Sequence, residues 1–247
     1  MGFFDPDLYL TMSQVTKAVI LAAGRGTRMK ELTEELPKPM VRVKGTPILE
    51  SIVRGLVANG VERILIVVGW RKKVIIDHFG DGSAFGCAVE YIEQIVQDGT
   101  GRVVELAKDF AGSDPFILSY GDILVPPDSY APLADFSDVD GKLTVKIDED
   151  VRKGGAVFIE NGMVTNLIEK PGPDQPTSPY YNAGIYAFSP RIFDYTAKLE
   201  LSPRGEYELT DAIAAQVRDG LKIAAVELAG EWADVRDPEV LRELNEG

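Results

Sequence analysis

The sequence contains few of the residue types on which covalent and acid–base enzyme mechanisms depend. Its 247 residues include one histidine, His78, and one cysteine, Cys87. A serine–histidine–acid triad or a cysteine–histidine pair could use only His78, which we interpret as a structural residue. The single cysteine excludes an internal disulfide bond and is typical of proteins from reducing compartments. We therefore expect a cytoplasmic protein.

Long apolar runs and an excess of positive charge are also missing. No stretch of the sequence has the length of an apolar membrane span, and the N-terminus lacks the charged-then-apolar order of a signal peptide. The chain carries 26 basic and 39 acidic side chains, which gives a formal net charge of −13. This charge argues against nucleic acid and anionic membranes as partners.

Apolar periodicity predicts an α/β protein. In the first half, short apolar runs alternate with helical spacing, which predicts a Rossmann-like, doubly wound, mostly parallel sheet. The second half contains strands joined by turns, including an Asn161-Gly162 hairpin signal, and predicts a smaller antiparallel lobe. We expect residues 1–13 to be an extension or tag and residues 14–247 to form one domain. Its two halves are predicted at about 14–125 and about 126–247.

The loop after the first predicted strand is the most informative segment, residues 21–29 (LAAGRGTRM). Gly24 and Gly26 allow backbone N–H groups to approach an anion, and Arg28 supplies a planar fork of donors for phosphate oxygens. Met29 replaces the third glycine of the dinucleotide fingerprint, and the Gly-Lys-Ser/Thr end of a P-loop is absent. Two glycines by themselves more often mark only a tight turn, so the prediction of a phosphate site depends on residues further along the chain.

Two carboxylates and two lysines supply that support. Asp122 follows a predicted strand at the edge where open α/β sheets bind ligands, and Asp234 has no evident structural role. Together they would suit Mg²⁺, with water and phosphate oxygens completing its coordination. Lys38 lies between two prolines and Lys170 precedes one, so both have restricted backbones that suit a fixed positive charge. Taken singly, each residue is also compatible with a turn or an exposed loop.

A reaction in which one phosphate attacks another fits this set of residues. A phosphomonoester is largely ionised near neutral pH because its second pKa is about 6. Such a nucleophile needs no histidine or cysteine to activate it. Catalysis then consists of positioning the reactants and neutralising charge with Mg²⁺, lysine and arginine.

The motifs together resemble those of sugar-1-phosphate nucleotidyltransferases. The resemblance extends from residue 17 to residue 244 and preserves the order of the family's motifs. These are residues 21–29 with 37–40, then 121–122, 169–171, 182–184, 205–213 and 232–235. The resemblance implies that a sugar 1-phosphate attacks the α-phosphorus of a nucleoside triphosphate and releases pyrophosphate.

The resemblance also implies that the half at about 14–125 binds the nucleotide, that the antiparallel half at about 126–247 binds the sugar, and that individual residues have particular roles. The catalytic residues would be Arg28, Lys38 and Lys170, and the Mg²⁺ ligands would be Asp122 and Asp234. The nucleotide would contact Leu21, Ala22, Ala23, Gly24, Gly26, Thr27, Gln97, Gly99, Thr100 and Gly121. The sugar would contact Tyr120, Gly155, Glu169 and Asn182.

The sequence leaves the substrates open. Gln97 and residues 99–101 favour UTP or dTTP, although Arg102 is larger than the residue common in the family. Arg236 stands where relatives usually have glycine. The alternatives are a GTP- or CTP-dependent enzyme with another phosphate acceptor, and a non-catalytic regulatory protein that binds nucleotide sugars. The resemblance is compatible with a homo-oligomer. Since the sequence ends soon after Leu244, we expect the β-helix acetyltransferase domain of some relatives to be absent.

Overall fold

A computed structural model describes residues 14–26, 29, 35–147 and 149–246. The predictions for Thr27 and Arg28 lie outside the described residues. The strands are β1 (Lys17–Leu21), β2 (Arg42–Val43), β3 (Thr46–Pro47), β4 (Arg63–Val68), β5 (Ala88–Glu93), β6 (Phe116–Tyr120), β7 (Ile123–Leu124), β8 (Gly141–Lys146), β9 (Gly155–Glu160), β10 (Met163–Glu169), β11 (Tyr180–Phe188), β12 (Ile223–Glu227) and β13 (Ala233–Asp234). The helices are α1 (Ile48–Ala58), α2 (Lys72–Phe79), α3 (Thr100–Val104), α4 (Lys108–Ala111), α5 (Ala131–Ala134), α6 (Ile192–Thr196), α7 (Leu209–Arg218) and α8 (Pro238–Glu246).

Nine strands form one mixed sheet in the order β5-β4-β1-β6-β11-β8-β12-β10-β9. The first four of these strands pair in parallel, as the sequence predicted for the first half. Most strands of the second half pair antiparallel, as predicted. They continue the same sheet rather than forming a lobe beside it, and β8 pairs with β12 in parallel. The reason is the nine-residue strand β11, which pairs with β6 near its C-terminal end and with β9 at its N-terminal end.

Both faces of the central strands are buried. Along β1, Ala18 and Ile20 belong to one apolar cluster and Val19 to the other, since successive side chains of a strand point to opposite faces. Helix α1 covers the first face and α7 covers the second. This arrangement explains why the first-half strands are continuous apolar runs rather than alternating ones.

Parallel pairing places two loops of the sheet side by side. Leu21, the last residue of β1, is opposite Tyr120, the last residue of β6. The Gly121 N–H then donates to the Leu21 carbonyl at 3.0 Å. A Cβ atom on Gly121 would lie 2.8 Å from that same oxygen, so a larger residue cannot occupy this position without displacement. Asp122 is therefore held directly beside the loop that follows β1.

The ends of the second-half strands converge in the same region. Glu169 at the end of β10 is opposite Gly155 at the start of β9. Tyr181 in β11 is opposite Ala156 and also opposite Lys146 at the end of β8. The predicted hairpin between β9 and β10 is confirmed, and both of its turn residues have the positive φ that such a turn requires.

A short ladder between β7 and β13 connects the end of the chain to the centre of the sheet. Asp234 is opposite Ile123, and the Val235 N–H donates to the Asp122 carbonyl at 3.0 Å. The sequence did not predict this pairing, because each strand has only two residues. It brings Asp234 to the strand that follows Asp122. None of the helices in the described part of the chain has the length and apolar character needed to cross a membrane.

We expect Gly121→Ala to lower the free energy of unfolding by roughly 1–3 kcal/mol, because the new methyl group would separate β6 from β1. Gly24→Ala is the matched control, since a Cβ atom there meets nothing within 4 Å. Its stability should stay within about 0.5 kcal/mol of the wild type. Urea unfolding of the two variants measures the difference. Equal stabilities would contradict the close approach of the two strand ends.

Candidate active site

A cavity of about 420 Å³ opens at the edge where the loops after β1 and β6 meet the ends of β9, β10 and β11. We call it the main cavity. The residues that line it are Gly24, Gly26, Lys38, Thr100, Tyr120, Asp122, Ile123, Lys153, Gly154, Gly155, Glu169, Lys170, Tyr181, Asn182, Gly184, Arg204, Glu206, Glu208, Trp232, Asp234 and Arg236. They come from both halves of the chain.

A second cavity of about 370 Å³, the side cavity, adjoins the main one. The two share the lining residues Gly24, Thr100, Tyr120, Asp122 and Glu206. The side cavity is completed by Leu21, Ala23, Gln94, Gln97, Gly99 and Val103. Together the two cavities form a continuous cleft over the carboxyl ends of β1, β5 and β6.

Most of the residues predicted for the site line this cleft, and a few do not. All four residues predicted to contact sugar line the main cavity, as do Lys38, Lys170, Asp122 and Asp234. Ala22 and Gly121 line neither cavity. Both are buried, and their N–H groups donate to the carbonyls of Val67 and Leu21, so these N–H groups are already used within the sheet.

Lys38 and Asp122 form an ion pair inside the main cavity. The Lys38 ammonium group contacts Asp122 Oδ2, and the Lys38 side chain is only 12% exposed. Lys38 begins a 3-10 turn, Lys38–Met40, after Pro37. The proline fixes the backbone before the turn, and a strand end fixes the aspartate, so both charges are held in place.

Asp122 and Asp234 are the two residues that the sequence predicts to hold a magnesium ion. Asp234 pairs with Ile123 in the β7–β13 ladder, and Asp122 is the residue directly before β7. Both side chains line the main cavity. Among the residues that the structure describes, no group of three or more histidine, cysteine, aspartate or glutamate side chains could enclose a metal. A pair of carboxylates open to a cavity is the usual protein contribution to Mg²⁺, which also takes oxygen ligands from water and substrate phosphates.

Lys170 has an unusual backbone conformation at the rim of the main cavity. Its φ angle is 41°, in the left-handed region that residues other than glycine seldom adopt. The Lys170 N–H donates to the Gly154 carbonyl at 2.6 Å, which holds this conformation. Strained residues of this kind cluster at functional sites, so the conformation supports a role for the lysine in the cavity.

Glu169 lies in a group of charged side chains deeper in the cavity. Its carboxylate is 3.5 Å from Arg204 Nη1 and accepts a hydrogen bond of 3.4 Å from the Thr210 hydroxyl. Arg204 also contacts Glu208 at 3.0 Å and Glu206 at 3.4 Å. One guanidinium group therefore holds three carboxylates against the strand that carries Glu169.

Burial raises the pKa of the Glu169 carboxyl, and the charge of Glu208 raises it further. Lys170, Arg204 and the hydrogen bond from Thr210 lower this pKa by less. Burial also raises the pKa of the Tyr120 hydroxyl, which accepts a hydrogen bond from Tyr186 at 3.4 Å. Tyr120 is therefore a neutral hydroxyl group at the junction of the two cavities.

Backbone packing shapes the side cavity. Gly99 has a φ of 123°, and a Cβ atom there would collide with the Tyr207 backbone. The Gln97 side chain donates to the Ala23 carbonyl at 3.0 Å, which ties it to the loop after β1. Arg102 does not line the side cavity, because its guanidinium stacks on the Tyr207 ring at 4.5 Å.

Sequence reasoning assigned no role to several residues of the main cavity. Lys153 and Tyr181 carried no signal, and Arg204 immediately precedes the motif at residues 205–213 that was noted. Trp232 was quoted within a motif, and its indole N–H donates to the Ala183 carbonyl at 3.0 Å. Charged residues next to a motif were the available signal for Arg204.

We expect Glu169→Gln to raise the free energy of unfolding at pH 7. The raised pKa means that protonation of Glu169 favours folding below the ordinary glutamate pKa of about 4.3 and that this stabilisation is lost as pH rises through the higher folded-state value. The neutral amide removes the cost of burying the charge. The gain in the free energy of unfolding of Glu169→Gln over the wild type should therefore shrink as pH falls and the wild-type carboxylate becomes protonated. Urea unfolding at pH 7 and pH 5 measures this difference, with the exposed Glu160→Gln as control. A stability difference between Glu169→Gln and the wild type that is the same at both pH values would contradict the raised pKa of Glu169.

Comparisons with known proteins identify the family to which the chain belongs. The family model described as nucleotidyl transferase matches residues 17–247. A bifunctional GlmU protein of Methanococcus maripaludis is 39% identical over 221 residues, which cover 90% of this chain and 51% of the relative. The chain thus spans about half the length of the GlmU relatives it matches. The UTP–glucose-1-phosphate uridylyltransferase AglF of Haloferax volcanii is 36% identical over 235 residues, covering 90% of this chain and 92% of AglF.

Solved structures show the same fold. A protein described as a glucose-1-phosphate thymidylyltransferase from Bacillus anthracis superposes with a TM-score of 0.81 and 26% identity, covering 93% of this chain and 94% of its own. A UDP-glucose pyrophosphorylase in complex with UDP-glucose superposes with a TM-score of 0.84 and 21% identity, covering 94% and 98%. The α/β architecture of the chain is therefore that of these enzymes, and the chain belongs to the nucleotidyl transferase family.

Proposed function

We propose that this protein transfers a nucleotidyl group from a nucleoside triphosphate to a sugar 1-phosphate, with a nucleoside diphosphate sugar and pyrophosphate as products. The observation that carries the proposal is the convergence of two sets of residues in one cleft. Gly24, Gly26, Lys38 and Asp122 come from the first half of the chain, and the lining residues near Lys170 come from the second half. A two-substrate reaction between phosphates requires such a junction.

The nucleotide is proposed to occupy the side cavity and the adjoining wall of the main cavity. Ala23, Gly24 and Gly26 would face its phosphates, with Thr27 and Arg28 contributing from outside the described residues. Leu21, Gln97, Gly99 and Thr100 surround the space for the base and ribose. We favour UTP or dTTP, the nucleotides that match the uridylyltransferase and thymidylyltransferase names of AglF and the Bacillus anthracis protein.

The sugar phosphate is proposed to lie at the other end of the main cavity. Glu169 and Asn182 offer acceptors for sugar hydroxyl groups, while Gly155 and Tyr120 limit the space. Lys170 would neutralise the phosphate of the acceptor. An oxygen of the acceptor phosphate then attacks the α-phosphorus of the nucleotide. The bond between the α-phosphorus and the oxygen that bridges it to the β-phosphate breaks, and pyrophosphate departs.

Charge neutralisation by fixed groups is the proposed source of catalysis. Lys38 would face the α-phosphate, where negative charge is concentrated during the displacement. Asp122 and Asp234 would hold Mg²⁺, which supplies Lewis-acid stabilisation of the phosphate oxygens when bound. We keep the cytoplasm as the proposed location, on the basis of the single cysteine.

We expect Asp122→Ala to reduce turnover roughly 10²-fold or more, because the variant loses a proposed metal ligand and the partner of Lys38. The measurement is the steady-state rate with Mg²⁺, together with thermal unfolding to confirm that the fold is retained. Asp128→Ala removes an exposed carboxylate that lines neither cavity and should keep the wild-type rate. A near-normal rate for Asp122→Ala would refute its role in metal binding.

The proposed reaction is tested by pyrophosphate release with Mg²⁺ across five nucleoside triphosphates and a panel of sugar 1-phosphates. Release that requires one nucleotide–sugar pair establishes the reaction and its specificity. Pairing with GTP or CTP would correct the preference for UTP or dTTP. No release with any pair, combined with thermal stabilisation by nucleotide sugars, would favour a binding protein without catalytic activity.

A further inference from the structure

Arg236 lies beside the carboxylate that the proposed function assigns to the metal. Its Nε atom is 3.5 Å from Asp234 Oδ2, and its Nη2 atom is 3.9 Å from Glu149 Oε2. The backbone N–H of Arg236 also donates to the Asp234 carbonyl at 2.7 Å. Both the Arg236 and the Asp234 side chains keep 21% of their surface exposed and line the main cavity. The guanidinium is therefore a partly buried charge next to Asp234.

Each carboxylate of the proposed metal pair has a basic side chain beside it. Asp122 contacts the ammonium group of Lys38, and Asp234 is beside the guanidinium of Arg236. A divalent cation that approaches either carboxylate meets a positive charge already in place. Since like charges repel strongly where water is partly excluded, these basic groups weaken cation binding as long as they stay on the carboxylates.

Nucleotide phosphates can relieve this repulsion. A triphosphate brings several negative charges into the same cavity, and a guanidinium presents a planar fork of donors that matches phosphate oxygens. Arg236 is two residues after Asp234 in the chain. Its side chain can therefore turn from the carboxylate to a phosphate without movement of the β7–β13 ladder. Its second anchor, Glu149, is the longer contact at 3.9 Å.

We propose that Arg236 holds Asp234 in the substrate-free protein and transfers to a substrate phosphate when nucleotide and metal bind. Binding of the cation then depends on the nucleotide, and Arg236 is a positioning residue for the Asp234 carboxylate. The inference rests on the proposed function, because it takes Asp234 as a metal ligand.

Binding of Mn²⁺ to the full chain without substrates tests the proposal, with electron paramagnetic resonance as the readout of free ion. Arg236→Gln should bind Mn²⁺ roughly tenfold more tightly than the wild type, because one repelling charge is removed. Arg236→Gly is a second neutral variant with the same expectation, and Arg236→Lys, which keeps the charge, should bind as the wild type does. Arg242→Gln removes an exposed charge from α8 and should leave Mn²⁺ binding unchanged.

Addition of UTP or dTTP without a sugar phosphate completes the test. The nucleotide should tighten Mn²⁺ binding to the wild type by a larger factor than in Arg236→Gln, since only the wild type has a guanidinium to transfer. Equal Mn²⁺ affinities of wild type and both neutral variants, with or without nucleotide, would overturn the inference.

Asp122→Asn and Asp234→Asn distinguish this failure from failure of the proposed function. If both variants weaken Mn²⁺ binding and the Arg236 variants have no effect, the metal assignment stands and the role of Arg236 is wrong. If neither aspartate variant changes Mn²⁺ binding, the metal assignment fails and the role of Arg236 fails with it.

Discussion

The parallel pairing of β1 with β6 is the constraint on which the site depends. Because Leu21 and Tyr120 are opposite one another, the loop after β1 and the residue Asp122 leave the sheet at the same point. Gly121 permits the two strand ends to come close enough for its N–H to bond the Leu21 carbonyl. Without this approach, the glycine loop and the carboxylate would not share one cavity.

Charge balance is the second feature that organises the site. The chain as a whole is strongly acidic, yet five basic and five acidic side chains line the main cavity. Lys38, Arg204 and Arg236 each contact at least one cavity carboxylate. The basic groups are thus held in place by fixed acidic partners, and bound phosphates can compete for them. An acidic protein can in this way present a site for a small polyanion.

The sequence was informative where local chemistry sets local structure. It predicted the parallel strands, the Asn161-Gly162 hairpin and the structural nature of His78. The imidazole of His78 contacts the Glu50 carboxylate at 2.9 Å and packs against the Phe79 ring at 4.7 Å. Strand periodicity and turn residues depend on neighbours in the sequence, so these predictions did not require the fold.

Where contacts join distant parts of the chain, predictions were wrong in part or were not made. The second half was expected to form an antiparallel lobe beside the parallel sheet. Its strands do pair mostly antiparallel, but β11 pairs with β6 and joins both halves into one sheet. The β7–β13 ladder is too short to leave a pattern in the sequence, although it brings Asp234 to the strand after Asp122. Arg204 gathers carboxylates that are up to 35 residues away, which no local motif could show.

The sequence by itself determined the chemistry that is available: glycines and basic residues for phosphate, a small set of carboxylates for a metal, and almost no histidine or cysteine for other mechanisms. Only the tertiary structure decided which of these groups meet. Residue types fix charge, size and hydrogen-bonding capacity, whereas proximity between Asp122 and Asp234, or between Glu169 and Arg204, results from strand order and register. These depend on how the whole sheet buries its two faces.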